Sequence, residues 1–172
     1  MNSSQILSLT LTLALLGVIF SLLFPAVSVG PRDSAKAQAK NDVTQISTAV
    51  TAYGMEYGHM PPSPTNGIVG GELLSALVGR NQALNPRKIV FIEVDAAKKG
   101  KKSGMSNGNF VDPWGAAYQI AVATGTNATV TAGTNHVTVN RKVAVWNDPN
   151  QHTDAAWFSP PKKSRRYVTS WE

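Results

Sequence analysis

The hydrophobic pattern of this 172-residue chain begins with an apolar run. The run covers 22 residues, from Ile6 to Val27, without a charged side chain, and the first charged residue is Arg32. About 20 apolar residues, at about 1.5 Å per residue, span the hydrocarbon core of a bilayer. The pattern therefore predicts a single membrane-spanning helix at the N-terminal end.

Two other interpretations of this run stay open. A buried core helix is disfavoured, because such a helix normally has a polar face. A cleaved export signal is favoured by the small residues Ala26 and Ser28, which have the spacing of a peptidase site. Two features oppose it: residues 1–5 contain no lysine or arginine, and the apolar run is longer than the roughly 7–15 apolar residues of a signal peptide. The nearest cations follow the run, between Arg32 and Lys40, so the positive-inside rule alone would leave the rest of the chain in the cytoplasm.

Between residues 31 and 58 the apolar positions recur at spacings of three and four, as on one face of an amphipathic helix. The residues of this stripe are Val43, Ile46, Val50, Tyr53 and Tyr57. Gly58 and the pair Pro61–Pro62 predict the end of the helix. Pro25 and Gly30–Pro31 predict a kink between its apolar and amphipathic halves.

The remaining residues predict a small α+β head. A short helix is expected within residues 70–86, where Leu73, Leu74 and Leu77 cluster. Runs rich in β-branched residues predict strands at 117–123, 136–140 and 142–146 and a strand or an extended edge at 88–94. Residues 96–109 are expected to form a loop. An antiparallel sheet with one apolar face would cover the stripe on the helix. The expected organisation is therefore 1–30 spanning helix, 31–58 amphipathic helix and 59–172 head.

Composition removes several classes of function. The chain has no cysteine, which excludes disulfide scaffolds, thiol catalysis and cysteine-bound zinc. Its net charge is +6, and two basic runs, 98–102 and 162–166, produce the excess of positive charge. These runs lack the organisation of a nucleic-acid reader, so we expect no nucleic-acid partner. The three histidines lie far apart in the sequence, and no hydrolase or zinc-protease motif occurs. We therefore expect the protein to have no enzymatic activity.

The sequence Asp112-Pro113-Trp114-Gly115 predicts a tight turn before a strand. Proline fixes φ, and glycine permits the conformation that the turn needs. Trp114 and Tyr118 are large enough to fill the space between the sheet and the long helix. We therefore expect a packing role for this segment.

Four segments together resemble bacterial pseudopilins of type II secretion systems, a branch of the type IV pilin-like family. The stretch AKNDVTQISTAVTAYGMEYGHMPP is similar to the amphipathic half-helix of that family, and VDPWGAAYQI is similar to the turn and strand of the major pseudopilin. Gly17 and Pro25 match the glycine and proline of its N-terminal helix, and the closing YVTSWE resembles its final strand.

The resemblance implies a pilin-like fold and a non-enzymatic, structural function. Pseudopilins are single-pass proteins of the bacterial inner membrane with the head in the periplasm. They assemble into a short helical filament together with other pseudopilins and an inner-membrane platform. The residues expected to pack between neighbouring helices and against lipid are Leu9, Leu13, Leu16, Gly17, Phe20 and Pro25.

Three features depart from the family pattern. Ser3 and Ser4 stand where the family has the glycine before the peptidase cut and the aromatic after it, and Ser8 stands in place of a glutamate. Major pseudopilins also bind calcium, for which this chain offers only Asp148 and Asp154 as candidate ligands. We therefore expect no cofactor, and calcium stays the alternative. An alternative therefore stays open: a secreted or membrane-anchored binding module that keeps the pilin-like architecture but does not polymerise.

Overall fold

A computed structural model describes residues 31–97, 103–123, 129–132, 137–148 and 168–171, with side chains from Ser34 onward. The chain divides into two compact units, Met1–Gly30 and Pro31–Glu172, and all described residues belong to the second. The predicted spanning run and the Pro25 kink lie outside the described residues. Within the described residues, no helix is long and apolar enough to cross a bilayer.

Helix α1, Pro31–Tyr57, is the longest element described. It ends one residue before Gly58, which has a φ of +72°. Glycine adopts this left-handed conformation without strain, and it commonly follows the last helical residue. The predicted end of the amphipathic helix is confirmed.

Helix α2, Gly71–Leu77, is a short helix with Leu73, Leu74 and Leu77 buried. It lies within the predicted range 70–86. No strand forms at 88–94, where the sequence predicts a strand or an extended edge, because this segment folds back onto the end of α2. The amides of Phe91 and Ile92 both donate to the carbonyl of Leu77, at 2.8 and 3.4 Å.

Strands β1, Gly104–Ser106, and β2, Asn109–Val111, form an antiparallel hairpin within the range predicted as a loop. The two residues between them, Asn107 and Gly108, have φ values of +50° and +78°. A two-residue turn with both φ values positive matches the right-handed twist of paired strands, and Asn-Gly is its preferred sequence. The expectation of a loop is therefore corrected here.

Four further strands form two antiparallel pairs. Strand β3, Tyr118–Val122, pairs with β6, Val143–Asn147, in a register that places Ile120 opposite Val145. Strand β4, Val130–Ala132, pairs with β5, Val137–Val139. The predicted strands at 117–123, 136–140 and 142–146 are confirmed, whereas β4 was not predicted.

The β3–β6 pair lies between α1 and the β4–β5 pair. Its α1 side carries Tyr118, Ile120, Val122, Val143 and Val145, which belong to the same core as the stripe of α1. On its other side, Ala121, Ala144 and Trp146 pack with Val130 and Val139. The fold is thus α+β, as predicted. The described strands form two-stranded antiparallel sheets in place of the single sheet that was expected, and the β3–β6 pair lies over α1.

Residues 67–71 connect the β3–β6 pair to the β1–β2 hairpin. The Val69 amide donates to the Tyr118 carbonyl at 2.8 Å, and the Val69 carbonyl accepts from the Phe110 amide at 2.8 Å. Gly70 pairs with Asn109 in an isolated bridge. The hairpin is therefore joined to the main sheet through a segment that has no strand of its own.

Candidate functional site

The interface between α1 and the sheet contains the residues that the sequence marked for packing. Val43, Ile46, Val50 and Tyr53 are fully buried on the inner face of α1, and Tyr57 is half-buried at the end of the same stripe. Ala39 and Ala49 complete this face. The small alanines allow the sheet to approach the helix backbone closely between the larger side chains.

The C-terminal end of the stripe carries an aromatic cluster. The rings of Tyr53 and Tyr57 lie 4.7 Å apart, and the ring of Phe91 lies 5.5 Å from that of Tyr53. The Tyr53 hydroxyl donates to the Leu84 carbonyl at 2.6 Å. Burial raises the pKa of the Tyr53 phenol, so the group stays a neutral donor.

Asn85 is a buried residue of this region that the sequence did not reveal. Its amide nitrogen donates to the carbonyls of Ala76 and Ile89, at 2.8 and 2.7 Å. Its side-chain oxygen accepts from the Ile89 amide at 3.0 Å and from the Tyr57 hydroxyl at 2.6 Å. One side chain thus holds the segment after α2 in place and attaches it to α1.

The Asp112–Gly115 segment forms the turn that its sequence predicts. One carboxylate oxygen of Asp112 accepts from the amides of Trp114 and Ala116, at 2.9 and 3.0 Å. The Gly115 amide donates to the Asp112 carbonyl at 3.0 Å, and Gly115 has a φ of +96°. Pro113 is buried and Trp114 is half-buried beside the core. The turn places Tyr118 at the start of β3.

Tyr118 connects the sheet to α1 through Asp42, a buried acid that the sequence analysis did not single out. The Tyr118 hydroxyl donates to Oδ2 of Asp42 at 2.8 Å, and only 7% of Asp42 is exposed. Burial raises the pKa of Asp42, while hydrogen bonds from Ser103 and Tyr118 partly oppose this shift. Burial, together with the charges of Asp42 and Asp112, also raises the pKa of Tyr118.

Asn147, at the end of β6, connects the Asp112 turn to the last described residues. Its amide nitrogen donates to Oδ2 of Asp112 at 3.1 Å, and its side-chain oxygen accepts from the Val168 amide at 2.9 Å. Thr169 pairs with Trp146, and its carbonyl accepts from Nζ of Lys40 at 2.7 Å. The segment 168–171 therefore lies along β6 and is attached to α1.

The structure brings together some predicted site residues and does not describe others. The stripe of α1 and the Asp112–Tyr118 segment meet in one core. Asp148 is described and half-buried, whereas its partner candidate Asp154 lies outside the described residues. In the part of the chain that is described, no three histidine or acidic side chains form a metal-binding group.

The residues predicted to pack between neighbouring helices all lie outside the described range. They are Leu9, Leu13, Leu16, Gly17, Phe20 and Pro25. Their role as an assembly surface stays a prediction from the sequence.

Comparison with known proteins returns no relative. No family model matches the chain, and neither a curated protein nor a solved structure is significantly similar to it.

Proposed function

We propose that this protein is a structural, pseudopilin-like subunit of a type II secretion or related pilus-like filament. In this proposal the run Ile6–Val27 anchors the chain in the inner membrane, with the head in the periplasm. The same run packs against the helices of neighbouring subunits when the filament forms. The protein has no catalytic role of its own and supports the export of other proteins through assembly with other pseudopilins and a membrane platform.

The observation that carries the proposal is the arrangement of α1 against the sheet. The stripe Val43–Tyr53 of α1 is covered by β3 and β6, the Asp112–Gly115 turn leads directly into β3, and the final segment 168–171 lies beside β6. These are the same segments, in the same chain order, that resemble pseudopilins in sequence. A sheet-covered amphipathic helix that follows an apolar run is the arrangement that the resemblance to pseudopilins implies.

Gly17 and Pro25 have specific roles in the proposed assembly. A glycine in an apolar helix lets a neighbouring helix approach closely, because no side chain separates the two backbones. A proline removes one hydrogen bond and loosens the helix locally. Subunits that must first lie in a membrane and then pack into a filament would use both properties.

The experiment uses the absence of native cysteines. Leu16→Cys in the full chain, expressed in bacterial membranes and oxidised, should give a disulfide-linked dimer, the product that one cysteine per chain can form. Thr138→Cys, on the exposed side of β5, serves as a matched control for random collision. If both variants remained monomeric after oxidation, the result would contradict the proposal.

The alternative function is a binding module that does not polymerise. Ser8 favours it because the family's glutamate at that place takes part in assembly, and Ser3 favours it because the family has a glycine there before the peptidase cut. Mass spectrometry of the native N-terminus separates the two functions. A start within residues 3–5 that carries an N-methyl group supports the pilin-like route. A start near Val29 supports a secreted head, and an intact Met1 supports a fixed anchor.

A further inference from the structure

Two asparagines of the chain, Asn66 and Asn107, are followed by glycine. Asparagine is a chemically labile residue, and a following glycine leaves the main chain open to close approach because it has no Cβ. In such a pair the main-chain nitrogen of the glycine can attack Cγ of the asparagine side chain. The two pairs have the same local sequence, so a difference in their reactivity has to come from the fold.

The Asn66–Gly67 pair is held by hydrogen bonds at both reacting groups. Oδ1 of Asn66 accepts from the Ile68 amide at 3.1 Å, and the Gly67 amide, which would be the nucleophile, donates to the Pro64 carbonyl at 2.9 Å. The Gly67 carbonyl also accepts from the Ile120 amide at 2.7 Å. Attack at Asn66 therefore requires this segment to open locally first.

The two glycines also differ in the space around them. A Cβ on Gly67 would lie 3.6 Å from Oε1 of Gln119 and 3.7 Å from the Ile120 carbonyl oxygen, so this residue is enclosed against β3. A Cβ on Gly108 would meet no described atom within 4 Å apart from its chain neighbours. The Asn107–Gly108 peptide therefore has room to rotate, and solvent reaches it.

Asn107 and Gly108 form the exposed tip of the β1–β2 hairpin. Among the described residues, no group bonds the Asn107 side chain or the Gly108 amide nitrogen. The Gly108 carbonyl accepts from the Gly71 amide at 3.1 Å, which leaves the reacting groups free. Asn107 has a φ of +50°, in the left-handed region that residues with a side chain adopt at a cost, so opening of the tip relieves this conformation.

We infer that Asn107 is a site of spontaneous deamidation in the folded protein and that the fold protects Asn66. The Gly108 nitrogen gives its proton to solvent and forms a bond to Cγ of Asn107, and the side-chain nitrogen leaves as ammonia. Water then opens the five-membered succinimide ring. Attack at one ring carbonyl gives aspartate, and attack at the other gives isoaspartate, whose main chain runs through the former side chain. One water is consumed and one ammonia is released.

Isoaspartate at position 107 changes the hairpin in two ways. It places a negative charge on the tip, and it adds one methylene to the main chain of a two-residue turn whose geometry has no place for it. The bridge between Gly70 and Asn109 lies directly beside this turn. Phe110 follows in β2, is 4% exposed, and donates its amide to the Val69 carbonyl at 2.8 Å. The modification of an exposed turn therefore loosens a segment that reaches into the core.

The loss of ammonia to solvent makes the change one-way, so modified molecules accumulate as the protein ages. The inference does not depend on the proposed function, because it uses the hairpin and the loop before α2 and not the N-terminal run.

The test compares the two asparagines in one protein. The full chain is incubated in mild detergent at mildly alkaline pH, and mass spectrometry of its peptides measures the fraction of acid at Asn66 and at Asn107. We expect the reaction at Asn107 to be at least about tenfold faster, which corresponds to about 1.4 kcal/mol of protection at Asn66. In the urea-unfolded chain the two rates should become similar, because the difference comes from the fold.

Two variants serve as a matched pair. Asn107→Gln should abolish the reaction at the tip, because the longer side chain would have to close a six-membered ring. Asn66→Gln should leave the rate at Asn107 unchanged. An isoaspartyl methyltransferase with labelled S-adenosylmethionine counts the isoaspartate formed in each protein, since it does not methylate the ordinary aspartate.

Hydrogen exchange measures the effect on the hairpin. In aged wild-type protein the Phe110 amide should exchange at least about tenfold faster relative to the Ile120 amide in β3. Freshly prepared Asn107→Asp carries the charge without the additional main-chain atom, and it should keep most of the protection at Phe110.

Selective loss of the amide at Asn107 in the folded chain, together with similar rates in urea, supports the inference. Three results overturn it: equal rates in the folded chain, a faster reaction at Asn66, or an intact Asn107 in the folded chain while both asparagines react in urea. None of these results affects the cross-linking of Leu16→Cys, so the inference and the proposed function are tested separately.

Discussion

The phenol of Tyr118 in β3 donates a 2.8 Å hydrogen bond to the carboxylate of Asp42 in α1, across 76 positions of sequence. Both groups are buried in the interface between helix and sheet. A buried acceptor that loses its donor pays a desolvation cost that a solvated one does not. This pair therefore both attaches α1 to the sheet and fixes how the helix is rotated against it.

The first prediction concerns the donor. Tyr118→Phe keeps the ring and its edge-to-face contact with Phe110, whose centroid lies 5.3 Å away, but it removes the hydroxyl. We expect a loss of about 1–3 kcal/mol in the free energy of unfolding, because Asp42 stays buried without that donor. Urea unfolding of the full chain in mild detergent, followed by tryptophan fluorescence, measures the change. An unchanged midpoint would show that the hydrogen bond contributes nothing.

The second prediction concerns the pH dependence that Asp42 causes. Its pKa is raised in the folded protein above the usual value of 3.8, so the folded state binds a proton more tightly than the unfolded chain. The stability that this group contributes is complete below about pH 3.8 and is lost as the pH rises through the raised pKa. We expect wild-type stability, relative to Asp42→Asn, to fall over that pH window and then to level off.

Asp42→Asn is the suitable reference because its amide oxygen still accepts from Tyr118 and has no proton to lose near neutral pH. Unfolding of both proteins is measured from about pH 3 to pH 8, and the difference in free energy is plotted against pH. The raised pKa would be contradicted if the difference in free energy stayed constant between pH 3 and pH 8, or if it grew with pH.

The sequence predicted the elements whose signals are local. The stripe Val43–Tyr53 has the helical period, Gly58 ends the helix, and the strands β3, β5 and β6 are rich in alternating or β-branched residues. Asp42, in contrast, looks like an ordinary solvent-facing helix residue. Its burial depends on Tyr118, which is distant in sequence, and nothing in the neighbouring residues of Asp42 indicates that pairing.

The errors have physical causes of the same kind. Residues 88–94 have strand composition, but the Asn85 side chain binds the main chain of Ile89, and Lys88 has a φ of +54°, so the segment begins as a turn. The β1–β2 hairpin was missed although Asn107–Gly108 is a preferred hairpin turn. Here a local signal was present, and the surrounding Gly, Ser and Lys residues obscured it.

The third prediction tests the stripe of α1 against its solvent face. Ile46→Ala should lower the free energy of unfolding by about 2–5 kcal/mol, because it leaves a cavity in a fully buried position. Thr48→Ala, on the exposed face two residues away, should change it by less than about 0.5 kcal/mol. The same fluorescence-detected unfolding serves for both. Similar losses in the two variants would show that the helix is not covered on the side described here.

The fourth prediction concerns Asn147, which joins the Asp112 turn to the final segment. Its side chain makes one bond to Oδ2 of Asp112 and one to the Val168 amide, and no part of the residue is exposed. Asn147→Ala removes both bonds and leaves the Val168 amide without its side-chain acceptor. We expect a loss of about 1–3 kcal/mol in stability, with a larger local effect at residues 168–171.

Hydrogen exchange separates the local effect of Asn147→Ala from the global one. The amide of Val168 should exchange at least about tenfold faster relative to the amide of Ile120, which lies in β3 and reports on the main sheet. Asn140→Ala, in the exposed turn before β6, is the matched control and should leave this ratio unchanged. If the amides of Val168 and Ile120 exchanged faster by the same factor, the loss of stability would be uniform. The Asn147 side chain would then not be what attaches the final segment.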